Sequence, residues 1–187
     1  MASFTKQAIK ASFIKLLNEK PLGKISVRDI VEDCGINRNS FYYHFQDIPA
    51  LLEEIVTEQT EALIARYPSI GSLDECFQVA FRFAQDNRRA VMHIYQSVNR
   101  DIFVQNSMRL CESAVTSYIN TAFPDRALDA QDRQIVIRFI KCQLFGMCID
   151  WVSSGMRDEA LADLKRAIEL FRDVPELLLS RSRASKP

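Results

Sequence analysis

Residues 26–45 read SVRDIVEDCGINRNSFYYHF, and this stretch decides the fold of the first part of the chain. Two short helical patterns stand in it, one on each side of Gly35, Ile36 and Asn37. We expect the glycine to end the first helix in the left-handed conformation, the isoleucine to anchor the turn in the core, and the asparagine to cap the second helix. This spacing predicts a helix-turn-helix, whose second helix can lie in the major groove of DNA with its first residues toward the base edges.

The helices around this motif are predicted from caps and apolar spacing. Ser26 and Asp29 form a capping box, because the hydroxyl and the carboxylate can each bond the backbone donor of the other residue. The second helix of the motif reaches about Phe45, and Asp47 caps a long helix that runs to about Arg66. A helix over about residues 6–20 precedes the motif and stops at Pro21 and Gly23. The apolar face of that helix carries Ile9, Phe13, Leu16 and Leu17.

Beyond residue 66 the apolar residues keep helical spacing, and no alternating strand pattern is found. The best boundary is 68–71, followed by a second capping box that begins at Ser72. We predict helices at about 73–85, 88–98, 101–122, 129–154 and 158–172, with a short last helix after Pro175. The predicted fold is all-α: an N-terminal three-helix DNA-binding domain with the helix-turn-helix, residues 1–48, and a C-terminal helical regulatory and dimerisation domain, residues 49–187.

The composition is that of a globular protein, with 48% hydrophobic and 26% charged residues. The formal net charge is zero, but residues 1–50 contain seven Lys and Arg against five Asp and Glu. The sign suits a DNA-facing N-terminus, although a difference this small is weak support.

Several classes of protein are disfavoured. Five cysteines form no Cys-x-x-Cys pair, which argues against a disulfide framework or a zinc site. No signal peptide opens the chain and no apolar run approaches about 20 residues, so we expect a soluble cytoplasmic protein without membrane contact. Nucleophile-elbow, phosphate-loop and metal-ligand patterns are absent from the sequence, which has two histidines, His44 and His93. We therefore expect no catalytic residues, no metal and no cofactor, with an enzyme as a minor alternative.

The side chains of the second motif helix suit contacts with DNA. Arg38 carries a planar fork that matches O6 and N7 of guanine, and Asn39 can pair with adenine or with a phosphate. Groups that can donate to phosphate oxygens follow at Ser40, Tyr42, Tyr43 and His44. Phe41 and Phe45 fall on one inward face at helical spacing, so we interpret them as core. Tyr42 and Tyr43 stand off that face, which favours DNA over a core position for them.

Residues 30–51, read as I-V-E-D-C-G-I-N-R-N-S-F-Y-Y-H-F-x5-L, make the chain resemble the TetR/AcrR family of bacterial regulators over about residues 5–55. The resemblance implies that Ser40 and Tyr42 hold phosphates. It also implies that Arg38, Asn39 and Tyr43 read bases, and Arg28 lies where some members reach a base. The full predicted set of DNA-contacting residues is Ser26, Arg28, Asn37, Arg38, Asn39, Ser40, Tyr42, Tyr43 and His44.

Two departures from the family pattern bear on DNA binding. The family usually has lysine and then glutamate after the cap of the fourth helix, where this chain has Ile48 and Pro49. Proline is acceptable at a helix start, but the missing lysine removes one expected phosphate contact and lowers the expected affinity or salt dependence. The second departure is Asn37-Arg38-Asn39 in place of the commoner Ser-x-Gly/Ala, which keeps the cap and leaves the operator sequence open.

Residues 135–152 are apolar on nearly every face, so a helix there must be buried on several sides. The stretch with Gly146, Trp151 and Gly155 resembles the penultimate helix of some TetR-family regulatory domains, which implies that this helix and the next pair with their copies in a second chain. A homodimer would place two readers on the half-sites of an inverted repeat in double-stranded DNA. The alternative is a purely intramolecular core. The predicted interface comprises Gly146, Ile149, Trp151, Leu161, Leu164, Ile168 and Phe171.

The family resemblance also implies an effector pocket among the middle helices. Its predicted lining is Phe77, Phe81, His93, Tyr95, Phe103, Met108, Gln143 and Met147. The few polar residues in this set indicate a small, mostly apolar effector, which would shift the protein to a conformation that no longer fits the operator. The competing interpretation is that these are core residues, with His93 as a hydrogen-bonded core histidine.

The sequence therefore predicts a homodimeric DNA-binding transcriptional repressor that a small molecule releases from its operator. The first alternative is a regulator or activator of the same fold that responds to a protein partner or to oxidation of a cysteine, with Cys34 as the candidate thiol. A second alternative is an interaction protein that does not bind DNA, if the reader is degenerate.

Overall fold

The computed structural model describes residues 2–67, 84–123 and 129–184, together with Ser72, Asp74 and Phe81. Every regular element in these residues is helical, which confirms the predicted all-α class. The helices are α1 (Ala2–Glu19), α2 (Val27–Asp33), α3 (Arg38–His44), α4 (Ile48–Arg66), α5 (Arg88–Tyr95), α6 (Arg100–Ala122), α7 (Ala130–Ser153), α8 (Asp158–Leu170) and α9 (Val174–Ala184), with a 3-10 turn at Leu22–Lys24.

The chain divides into two compact units. The first consists of Met1–Glu61 and Ala84–Asn106, and the second of Ala62–Phe83 and Ser107–Pro187. In the first unit α1 packs against α2, α3 and α5. The boundary predicted between residues 48 and 49 falls inside this unit, because the first turns of α4 bury their apolar side chains in the same core. That core includes Ile9, Phe13, Ile30, Phe41, Leu51, Leu52, Ala90 and Ile94.

The predicted caps of the helix-turn-helix are confirmed. Ser26 and Asp29 form the reciprocal capping box at the start of α2. Gly35 has φ +68°, the left-handed conformation that ends this helix, and Ile36 packs on the core. The Asn37 carboxamide oxygen accepts a hydrogen bond from the Ser40 backbone N–H at 2.8 Å. These local bonds fix the turn between α2 and α3, and with it the orientation of α3 relative to α2.

Ion pairs between charged side chains join α1 to α4 in the first unit. The buried Lys10 donates to both carboxylate oxygens of Glu58, at 2.6 and 2.7 Å, and contacts Glu54. Lys6 contacts the same Glu54 oxygen at 2.7 Å. Burial by itself would lower the pKa of Lys10, but hydrogen bonds to Glu54 and Glu58 outweigh it, and the pKa is raised. Lys10 therefore stays charged at neutral pH, and its contacts with Glu54 and Glu58 hold α4 against α1.

Helix α5 ends at Tyr95, three residues before the predicted end at 98. The reason is a turn closed by Ser97, whose hydroxyl donates to the Ile94 carbonyl at 2.7 Å and accepts from the Asn99 backbone N–H at 3.1 Å. A serine that bonds nearby backbone groups in this way competes with continued helix. The turn leaves Val98 98% exposed.

The second unit is built around α7, which packs against α8 and α9. Trp151 is buried in this unit. Its indole packs edge-on against Phe81, with ring centroids 5.1 Å apart, and Nε1 donates to the Arg157 carbonyl at 3.2 Å. Gly155, with φ +83°, ends the helical segment at the predicted break. The last helix, predicted as a short one after Pro175, is eleven residues long, and its Leu179 is fully buried.

Some predictions fall outside the described residues. They are the boundary at 68–71, most of the helix predicted at 73–85 with Phe77, and most of the capping box that begins at Ser72. Among the helices that the structure describes, none is both long and apolar enough to cross a membrane.

Candidate nucleic-acid interface

Helix α3 is held by one buried face. Phe41 is fully buried and Phe45 nearly so, and their rings lie 5.9 Å apart. Both belong to the core that contains the apolar residues of α1 and α4. Their prediction as core residues is confirmed. Because this face cannot rotate outward without exposing two phenyl rings, the opposite face of α3 is fixed in solvent.

The exposed face of α3 carries the predicted base readers. Arg38 and Asn39, in the first turn, are exposed, and Tyr43 is 79% exposed. Tyr42 is 56% exposed and packs edge-on against Phe41, with ring centroids 5.5 Å apart. A planar cation, an amide and two phenols are thus available on one short helix, which is the chemistry that base edges and phosphates bind.

Other predicted contact residues already have intramolecular partners. The Ser40 hydroxyl donates to the Asn37 carboxamide oxygen at 3.1 Å, and the Ser26 hydroxyl donates to Asp29 at 2.6 Å. The His44 ring packs edge-on against Tyr43, with centroids 5.0 Å apart. Ser26 and Asn37 therefore act first as helix caps, and Ser40 bonds the cap Asn37, so a phosphate would have to share or replace these bonds.

Acidic neighbours engage two of the four Lys and Arg residues near the motif. The guanidinium Nε of Arg28 lies 2.6 Å from Glu32, and the Lys20 ammonium lies 3.0 Å from Asp29. Hydrogen bonds from the Ser26 hydroxyl and backbone N–H, with a further one from Lys20, hold the pKa of Asp29 well below its usual range. Among the cations of residues 20–50, for which the structure describes every position, Lys24 and Arg38 have no described ion pair.

The position of the missing lysine is part of the apolar core. Ile48, the first residue of α4, packs against the core of the first unit. Ile48 and Pro49 also line a groove of about 570 Å³ whose other walls include Leu22, His93 and Val98. A lysine at position 48 would have to leave this apolar environment to reach a phosphate. Isoleucine in place of the family's lysine therefore removes a positive charge, and its side chain packs against the core of the first unit.

Cys34 lies directly before the turn and is half-buried against the core. Burial raises the pKa of its thiol, so the thiolate that reacts with oxidants is less populated than in a free cysteine. Within the described ranges, no three His, Cys, Asp or Glu side chains are grouped so that they could hold a metal ion.

The predicted effector residues are divided between the two units. His93, Tyr95 and Phe103 belong to the first: the His93 ring bonds the Leu17 carbonyl at 2.7 Å, and Tyr95 packs edge-on against Phe103. His93 is thus the hydrogen-bonded histidine of the competing interpretation. The remaining described residues belong to the second unit: Phe81 is buried against Trp151, Met108 and Met147 are half-buried, and Gln143 is exposed.

The predicted interface residues are not all on the surface. Trp151, Leu161 and Leu164 are buried within their own unit and offer little area to a partner. Ile149 and Ile168 are half-buried, whereas Gly146 and Phe171 are exposed. Ile135, Phe139 and Cys142 are exposed residues of α7 that lie outside the predicted set. A signal for them exists, because steps of four and three residues back from Gly146 reach 142, 139 and 135, one face of a helix.

Comparisons with known proteins agree with this architecture. Residues 12–55 match the family model described as bacterial regulatory proteins, tetR family, and residues 71–172 match a TetR model described as a transcriptional regulator C-terminal region. The second match alone spans more than half of the chain. No protein of curated function matches the chain significantly.

Solved structures share the fold at low sequence identity. The dihydroxyacetone kinase operon activator DhaS superposes with a TM-score of 0.65 at 17% identity, covering 98% of each chain. A tetR-family transcriptional regulator from Streptomyces coelicolor gives 0.64 at 15% identity, covering 99% of this chain and 90% of that one. A TetR transcriptional regulator from Rhodococcus sp. RHA1 gives 0.57 at 14% identity, covering 91% and 97%. With both family models matched, the chain belongs to the TetR family of transcriptional regulators.

Proposed function

We propose that this regulator reads a specific site in double-stranded DNA with the exposed face of α3. The observation that supports the proposal most strongly is the contrast between the two faces of that helix. Phe41 is fully buried, while Arg38, Asn39 and Tyr43 are exposed. A rigid helix with a polar outer face and free N-terminal side chains can enter a major groove without rearranging its own core.

The side chains divide into base readers and phosphate contacts. Arg38 suits guanine, because its fork can donate to both O6 and N7, and Asn39 suits adenine. Tyr43 is the third candidate base reader. Tyr42 suits a phosphate, because its ring rests on Phe41 and its hydroxyl stays at the surface. The hydroxyl of Ser40 and the imidazole of His44 are further phosphate donors in this proposal, as are the helix-capping groups of Ser26 and Asn37.

The charge pattern limits how tightly any DNA is held. Lys20 and Arg28 are paired with carboxylates, which leaves two of the four Lys and Arg residues of 20–50 without a described ion pair, and position 48 carries isoleucine. Each phosphate contact that a cation makes releases counterions and steepens the dependence of affinity on salt. We therefore expect a shallow salt dependence and a specificity that rests on hydrogen bonds to bases.

We propose a homodimer as the DNA-binding form. Helix α7 buries one side within its own unit, with Val136, Ile140 and Leu144, and exposes Ile135 and Phe139 by 56% and 49% on the other. Near the end of α8, Leu170 and Phe171 are each 63% exposed. Exposed apolar side chains of this size on neighbouring helices are typical of surfaces that a partner covers. Two identical readers would then meet the half-sites of an inverted repeat.

The proposed regulation is repression that a small, mostly apolar effector relieves. The effector would bind the conformation in which the two readers no longer match the operator, and so shift the population away from DNA. An activator is the second candidate, because the structural neighbour DhaS is an operon activator. Control by oxidation is less favoured at Cys34, because burial raises the pKa of that thiol. We propose no enzymatic activity, and a cytoplasmic location follows from a role on DNA.

Selection of binding sites from random duplex DNA at moderate salt tests the proposal. The purified protein should enrich an inverted repeat whose half-sites lie about one helical turn apart. A Tyr42→Phe variant should enrich the same sequence with weaker binding to every duplex, because a phosphate contact carries no base information. Failure of the folded wild-type protein to enrich any sequence would contradict a reading function for α3.

A further inference from the structure

Arg28 and Glu32 form an ion pair on the exposed side of α2, one turn apart. The guanidinium Nε donates to Glu32 Oε1 at 2.6 Å, and the two side chains are 70% and 61% exposed. The pair raises the pKa of Arg28, chiefly through this hydrogen bond. Arg28 therefore carries its full charge at neutral pH, and both side chains are accessible from solvent.

The nitrogen that makes this contact determines what Arg28 can still do. A guanidinium has five N–H donors in a planar fork, and guanine is read by a pair of parallel donors. Glu32 accepts from Nε, on the inner edge of the group, and the described contact does not use Nη1 or Nη2. The pair of Arg166 and Glu169 on α8 differs, because its bond at 2.8 Å uses the terminal Nη1.

We propose that Glu32 is a positioning residue for DNA reading, which fixes Arg28 so that its two terminal nitrogens face a guanine. The proposal rests on the proposed function of the helix-turn-helix and on the base contact that the family resemblance implies for Arg28, and it adds the residue that orients this arginine. A free arginine side chain loses rotamer entropy when it binds a base. Holding Nε in place restricts that freedom before DNA arrives, so more of the binding energy goes into discrimination between bases.

Because Glu32 is negatively charged, a positioning role can be distinguished by experiment from a simple charge effect on DNA binding. A carboxylate on a DNA-facing surface repels phosphates, so its removal should raise the affinity for all duplexes. If Glu32 also positions Arg28, its removal should at the same time lower the preference for one base pair. Affinity and selectivity then change in opposite directions, which loss of a single like charge would not produce.

The experiment measures binding of the full-length protein to its selected site and to all single-base variants of that site, at two salt concentrations. Glu32→Ala removes the contact, while Glu32→Gln keeps an amide oxygen that accepts from Nε without the charge. Glu19→Gln is the charge control, since Glu19 is an exposed carboxylate of the same unit. Arg28→Ala identifies the base pair that Arg28 reads.

A good bidentate contact discriminates by about 1–3 kcal/mol, roughly 5- to 160-fold. We expect Glu32→Ala to lower the preference at the Arg28 base pair severalfold while it raises affinity for unrelated duplexes. Glu32→Gln should keep more of the preference than Glu32→Ala, and Glu19→Gln should keep all of it. The proposal is overturned if Glu32→Ala raises affinity equally on every duplex, or if Arg28→Ala changes no base preference. Either result leaves the proposed DNA reading by α3 unaffected, because that proposal is tested separately by site enrichment with the wild-type protein.

Discussion

His93 supplies a hydrogen bond that the end of α1 cannot make for itself. Its Nδ1 lies 2.7 Å from the carbonyl oxygen of Leu17, a residue 76 positions earlier in the chain. In an uninterrupted helix this carbonyl would accept from the N–H of residue 21, and Pro21 has none. The Leu17 carbonyl is therefore one of the last in its helix, and α5 provides its donor.

Replacement of His93 by phenylalanine keeps an aromatic ring and removes the donor. A carbonyl left unpaired in a partly buried position costs about 1–3 kcal/mol, and each kcal/mol lowers the melting temperature of a protein of this size by about 2–4 °C. His93→Asn should recover part of the loss, because the Asn amide nitrogen can occupy nearly the position of Nδ1 and donate there.

Hydrogen exchange of the last turn of α1 is the assay of choice, because it reports on this bond locally. Faster exchange at the end of α1 in His93→Phe than in His93→Asn is the expected result. The protein's one tryptophan, Trp151, lies in the second unit, so its fluorescence provides an internal control for damage elsewhere. Equal protection in the wild-type protein and in both variants would refute the assigned role of His93.

Three further predictions concern the turn, the cap and the exposed side of α7. Gly35→Ala should cost about 1–2 kcal/mol in denaturant unfolding, because φ is +68° and the added Cβ meets no atom within 4 Å; a neutral result would contradict the strain argument. The low pKa of Asp29 stabilises the fold above the unfolded value of 3.8, and this contribution is lost as the pH falls toward the folded pKa. Stability curves of the wild-type protein and Asp29→Asn should therefore converge below about pH 4, and a constant gap would exclude this linkage. Phe139→Asp should give a folded monomer in sedimentation equilibrium, whereas Ile140→Asp should unfold the second unit, because Ile140 is buried; a dimer that persists in Phe139→Asp would exclude this face from the interface.

Features set by neighbours in the chain could be predicted from the sequence. The capping box at Ser26, the left-handed Gly35 and the cap at Asn37 are each determined within a few residues, because a side chain bonds the backbone beside it. Asp47 is a further example, since its carboxylate accepts from the Ala50 N–H at 2.8 Å. The class of fold follows from the same local signals together with the family pattern.

Features set by distant contacts could not be predicted. A helix that is apolar on nearly every side gives no sign of which side faces its own core. The sequence therefore places Trp151 in the predicted interface, whereas the structure buries it within its own unit. The partner of His93 lies 76 residues away. Ion pairs such as Arg28 with Glu32 have a recognisable spacing of four residues, but which guanidinium nitrogen is used depends on rotamers that the sequence does not specify.

The most direct test of DNA reading by α3 compares wild-type protein and Arg38→Ala on two duplexes, the selected site and a scrambled duplex of the same composition. The exposed position of Arg38 at the first turn of α3 makes this substitution harmless to the core. If Arg38 reads a guanine, binding to the selected site weakens by roughly 1–3 kcal/mol while binding to the scrambled duplex changes little. Equal weakening on both duplexes would make Arg38 a phosphate contact and would contradict base reading by the exposed face of α3 at this position.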